Sequence, residues 1–164
     1  MADTTYVVDT IATIDERIPK DLEARGAPLA TKRLVAIRFT GGKVGVLDVS
    51  ALPGSLWVSV LRNLHELKQP VYVEIDPATS LVTQVLQPKL QPVGTIEPVD
   101  HRGDLRVEFR NSHASHFLRR THPQYAALLQ VLRDAQAKDF AVWVTETLNT
   151  HEIIDVRPSQ ASSQ

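Results

Sequence analysis

"VLRN" at Val60–Asn63 and "VLRD" at Val131–Asp134 stand 71 positions apart in a chain of 164 residues. The similarity extends outward from both. Upstream, "LVAIRF" at Leu34–Phe39 alternates Val35, Ile37 and Phe39, and "LRVEFR" at Leu105–Arg110 alternates Leu105, Val107 and Phe109. A period of two is that of a strand with one buried face. A second β-rich run follows each, "KVGVLDV" and "ASHFLRR". The repeated tetrapeptide then lies in a helical pattern. Trp57, Val60, Leu61, Leu64 and Leu67 fall on one face in the first copy, and Tyr125, Leu128, Leu129, Leu132 and Ala135 in the second. After each helix come two more strands, "VYVEI" and "LVTQVL", then "FAVWV" and "HEIIDV". Before each copy lies one further run, "TYVVDTIATI" or "VGTIEPV".

The pattern predicts an α+β, β-rich protein of two tandem β-β-β-α-β-β units related by internal duplication. Each unit is expected to be an OB-like small barrel or a bent sheet, since a helix between the third and fourth of five strands is the OB order. The expected boundaries are 1–88 for the first unit, 89–158 for the second and 159–164 for a disordered tail. A polar insertion near 16–33 lengthens the first connection, where the second unit has only "DHRGD". "QPKLQP" at Gln87–Pro92 reads as a stiff joint. "GGK" at Gly41–Lys43 and Asp76-Pro77 read as turns. Thr121 and Gln124 have capping-box spacing, with Pro123 in the first turn of the second helix.

Composition narrows the function. Lys plus Arg number 18 against 19 Asp plus Glu, so no global field attracts nucleic acid or an anionic membrane. There is no cysteine, which excludes disulfides and thiolate chemistry from this sequence. The first residues have no signal-peptide pattern and no run is long enough to span a bilayer, so a soluble, cytoplasmic protein is expected. Phosphate-loop, nucleophile-elbow and H-E-x-x-H motifs are absent from the sequence. No catalytic residue, metal ligand or cofactor is therefore predicted.

Local chemistry concentrates in "HRGDLRVEFRNSHASHFLRRTHP", His101–Pro123, which holds five arginines and four of the six histidines. Arg110, His113, His116, Arg119, Arg120 and His122 are the candidates for contacting an anion or nucleic acid, because the guanidinium fork matches phosphate oxygens. The plainer reading is that these arginines are solvated or pair with carboxylates. A metal at His113, His116 and His122 is disfavoured, since residues three apart on a strand face opposite sides. Tyr72 and Trp143 occupy matched positions and point away from the inward sets Val71/Val73/Ile75 and Phe140/Val142/Val144. They are the candidates for a protein interface. The expectation is a non-enzymatic module for protein–protein interaction or assembly. Nucleic-acid or anion binding is the alternative, and an enzyme or small-ligand binder with a cleft between the units the second. The expected partner is another protein, with no membrane.

Overall fold

A computed structural model of the chain describes residues 5–15, 33–50 and 52–159. The expected insertion at 16–33 and the tail at 159–164 lie outside these residues, apart from their inner ends. The chain divides into two compact units, Met1–Gln87 and Pro88–Gln164. The first contains β1 (Thr5–Asp15), β2 (Leu34–Phe39), β3 (Val44–Asp48), α1 (Gly54–Leu67), β4 (Pro70–Ile75) and β5 (Val82–Leu86). The second contains β6 (Lys89–Pro98), β7 (Leu105–Phe109), β8 (His116–Leu118), α2 (Tyr125–Lys138), β9 (Ala141–Glu146) and β10 (Ile153–Pro158). The fold is α+β and strand-rich. Among the described residues no helix is long and apolar enough to cross a membrane.

Each unit is one antiparallel sheet. The strand orders are β3-β2-β1-β4-β5 and β8-β7-β6-β9-β10, which are the same order. β2 and β7, α1 and α2, and β4 and β9 all begin 71 residues apart. Even the left-handed residues recur at that spacing: Lys68 with Asp139, and Ser80 with His151. In both units the first strand serves two neighbours in turn. Thr5–Thr10 of β1 pair with β4, then Ile11–Asp15 pair with β2 across a bulge. Lys89–Pro92 of β6 pair with β9, and Val93–Pro98 with β7, again across a bulge. A single parallel bridge then links the two edges of each sheet, Val46 to Leu81 and Phe117 to Glu152.

The cores follow the apolar spacing. Leu61 and Leu64 of α1 pack with Ile37, Phe39, Val71 and Val73. Leu128, Leu132 and Ala135 of α2 pack with Val107, Phe109, Val142 and Val144. Both helices end on a left-handed residue whose amide bonds back into the last turn, which satisfies orphan carbonyls. Gly54 opens α1 so close to β3 that an added Cβ would lie 1.7 Å from the carbonyl oxygen of Asp48. The turns read from the sequence form. Gly42, at φ +99°, closes the β2–β3 hairpin, and the Asp76 carboxylate accepts the Ala78 amide at 2.8 Å.

Four expectations are corrected. Leu34–Ile37 of β2 is buried at every residue; both faces are covered, so no alternation survives there. Leu67 lies on the outer surface of α1, 56% exposed, because the inner stripe ends at Leu64. "QPKLQP" is no separate joint, since Lys89–Pro92 already pair with β9. The capping box does not form. Gln124 is the N-cap residue and makes no side-chain capping bond, and Pro123 lies before the helix. His122 caps instead. The Gln124 amide donates to its Nδ1 at 2.9 Å, so the ring proton sits on Nε2, which donates to the Ile154 carbonyl at 2.8 Å.

His122→Ala should therefore lower the stability of the second unit by about 1–2 kcal/mol in urea unfolding, the usual cost of a lost cap or hydrogen bond. Thr121→Ala should stay within about 0.5 kcal/mol; a larger loss at Thr121 would restore the capping box. Gly54→Ala should cost roughly 2–4 kcal/mol by overpacking against the β3 backbone. An unchanged midpoint would show that the close approach is absent in solution.

Candidate functional site

β8, the end of β9 and the turn before β10 bring three ligand-type side chains together in the second unit. His116 Nδ1 lies 2.5 Å from Glu146 Oε2, and His151 Nδ1 lies 3.1 Å from Glu146 Oε1. One carboxylate thus accepts a hydrogen bond from each imidazole, one per oxygen. The rings meet edge to face with centroids 5.3 Å apart. The Phe109 ring supports His116 from another side at 4.9 Å. His116 Nε2 is 2.9 Å from Ser112 Oγ, an oxygen that also accepts the Ala114 amide at 3.2 Å. Burial is graded: the side chains of His116, Glu146 and His151 are 4%, 13% and 43% exposed. His151 is the face that solvent reaches.

The electrostatics are those of a satisfied buried anion. Burial alone would push the Glu146 carboxyl up. The hydrogen bonds from His116 and then His151, with their charges, outweigh it and hold the group below its ordinary value. Chemically the chain Ser112–His116–Glu146–His151 can relay a proton, or its two imidazoles and carboxylate can hold a cation.

Neither Glu146 nor His151 was singled out from the sequence. His116 was, but beside the wrong partners. His113 is exposed on the turn before β8, and His122 is spent on its cap. The signal for Glu146 and His151 was spacing. They stand 71 residues after Ile75 and Ser80, as His116 stands after Gly45. In the first unit that location is apolar, with Ile75 filling the space where a Gly45 side chain would be.

The arginines are largely committed to carboxylates. Arg106 pairs with Glu97 and Glu108, and Arg110 with Asp139 beyond the end of α2. Arg119 bridges Asp104 and Glu152 and lies over the Phe117 ring. Arg120 is exposed, its guanidinium 4.7 Å from the Tyr125 ring centroid. Tyr72 is buried at 3% exposure, stacked on Tyr6 with its hydroxyl donating to Glu74, so an approaching partner does not meet it. Trp143 is half-buried on β9. β4 is buried at Val71, Tyr72 and Val73 in succession, so the side facing away from the core is not exposed there.

No protein-family model, no curated protein and no solved structure matches this chain.

Asp104 provides a pH test of the arginine network. The Arg120 amide is the main influence lowering its pKa; burial opposes it, and the Arg119 bond and the charges of Arg119 and Arg102 add to the lowering. A depressed carboxylate stabilises above its unfolded pKa, and the contribution is lost as pH falls through the folded value. The Asp104 carboxyl carbon should titrate below the ordinary Asp range in NMR, and Arg119→Ala should move the midpoint upward. A midpoint at or above the ordinary value would mean the network is not populated.

Proposed function

We propose that the chain is a protein-interaction module built from two OB-type barrels that arose by duplication. Three features support the architectural part. The strand orders coincide, the starts of β2 and β7, of the two helices, of β4 and β9 and of β5 and β10 are all 71 residues apart, and the parallel bridges Val46–Leu81 and Phe117–Glu152 join the sheet edges at matched places. A bridge at that point is what turns an open five-stranded sheet towards closure.

The observation that carries the functional part is the outer face of α1. Leu56 and Leu67 stand on one line of the helix at i and i+11, with Asn63 between them, while Val60 on the same line is half-buried against the core. Leu56 and Leu67 are 63% and 56% exposed, and Leu52, just before the helix, is 71% exposed. The stripe extends roughly 16 Å at 1.5 Å per residue. A helix face of this pattern fits an apolar groove on a partner protein. The matched positions on α2 are Ala127, Val131 and Lys138, so the face belongs to one unit only. Leu90, Val99 and Leu148, the other large apolar side chains found exposed, stand on separate segments and have the scatter of an ordinary surface.

The nucleic-acid reading has less support. Arg106, Arg110 and Arg119 already face carboxylates. A phosphate would have to displace those partners, which removes much of the attraction.

A photo-cross-linking residue placed at Leu56 should give a discrete adduct in cells, and the same residue at Ala127 should not. Leu56→Glu with Leu67→Glu should weaken the captured interaction at least tenfold, given the transfer free energy of two leucines, while leaving stability within about 0.5 kcal/mol. An adduct of chain mass would identify the partner as a second copy. Equal labelling from Leu56 and Ala127, or none from either, would overturn the reading.

A further inference from the structure

We propose that His116, Glu146 and His151 form a binding site for a divalent transition-metal ion of the zinc class. One ligand atom from each residue lies within 4.8 Å of the other two. Two imidazoles and one carboxylate are a donor set suited to zinc, cobalt, nickel or copper, and a poor one for calcium or magnesium. Three protein ligands leave a fourth position, and the exposed side of His151 places it towards solvent.

The present hydrogen bonds describe the protonated form of such a site. Both Nδ1 atoms face a carboxylate oxygen, so each carries a proton. A metal ion takes the place of those two protons, each of which moves to Nε2 of its own ring, since ligation requires a neutral imidazole with a free lone pair at Nδ1. The nitrogen–oxygen separations, 2.5 and 3.1 Å, then widen to roughly 3.3 Å, the spacing of tetrahedral ligands at zinc bonds of about 2.0–2.1 Å. The two imidazole nitrogens, within 4.8 Å of each other, draw together to the same spacing, a movement at the ends of side chains of which His151 is 43% exposed. His116 is already equipped for it. With its proton moved to Nε2, the ring donates to Ser112 Oγ at 2.9 Å, the outer partner that orients a metal-bound histidine.

One feature singles the cluster out. The matched set Gly45, Ile75 and Ser80 contains no metal ligand and places the Ile75 side chain near the vacant Cβ position of Gly45. The second unit has replaced an apolar filling by three donors at one location, whereas a core needing only to be packed would keep the isoleucine.

The test is zinc titration of the full chain, stripped with chelator beforehand, against a chromophoric competitor. Cobalt absorption would report coordination number. One equivalent per chain is expected, with the intense bands of four-coordinate cobalt and a higher melting temperature in zinc. His151→Ala, at a partly exposed position, should weaken binding at least tenfold, and Glu146→Gln likewise. His151→Cys should restore it, because thiolate replaces imidazole at zinc. Ser112→Ala should cost roughly tenfold through the lost orientation of His116. His101→Ala with His113→Ala serves as the control and should change nothing. A folded wild-type chain that takes up no stoichiometric zinc at micromolar concentration overturns the proposal. So does unaltered binding in the His151→Ala variant, or loss of binding in the control.

Discussion

The structure of each unit rests on one strand that divides its hydrogen bonding between two neighbours along its length. β1 and β6 are the longest strands, eleven and ten residues, and each has a bulge just after one partner gives way to the other. A bulge adds local twist and bends the strand. One parallel bridge joins the two ends of each strand order, Val46 to Leu81 and Phe117 to Glu152, and a single amphipathic helix packs against each sheet. β2 and β4 are buried on both faces, and Tyr72 stacks on Tyr6.

Much of this order was readable because burial imposes periodicity. The strands, the helices and the 71-residue spacing all leave apolar patterns that survive low identity. What failed to show were features decided by three-dimensional closure. Tyr72 alternates away from Val71 and Val73, yet a strongly curved sheet covers its second face too. The cap of α2 came from a histidine ring rather than from Thr121, because His122 also had to reach Ile154 on β10, a partner 32 positions away. Leu67 continues the helical stripe in the sequence, but the helix outruns the core beneath it.

The same limit applies more sharply to the site. In "HASH" the neighbour of His116 is His113, which is exposed on the turn, and in "NTHEI" the neighbour of His151 is Glu152, which pairs with Arg119. His116 and Glu146 are 30 positions apart, and only the β8 and β9–β10 geometry joins them. A motif search sees ligands that lie close in sequence, as on one helix. A sheet assembles them from separate strands, where sequence distance carries no information about contact. The matched spacing of the two units is the device that could have found them, by asking where the second unit has a donor at a position that is apolar in the first.

Ile75 in the first unit supplies hydrophobic burial of the ordinary kind, about 1.5–3 kcal/mol for such a side chain. Glu146 at the matched position instead brings a charge that costs free energy to bury and is retained only with partners. Its partners are complete: each oxygen has a donor, and His116 has a second contact in Ser112. A network satisfied to this degree tolerates burial, but it only offsets its own desolvation where an isoleucine would have added stability. A unit that had to be stable and nothing more would gain by an isoleucine at this place, whereas a cation bound between the three side chains would stabilise the buried carboxylate.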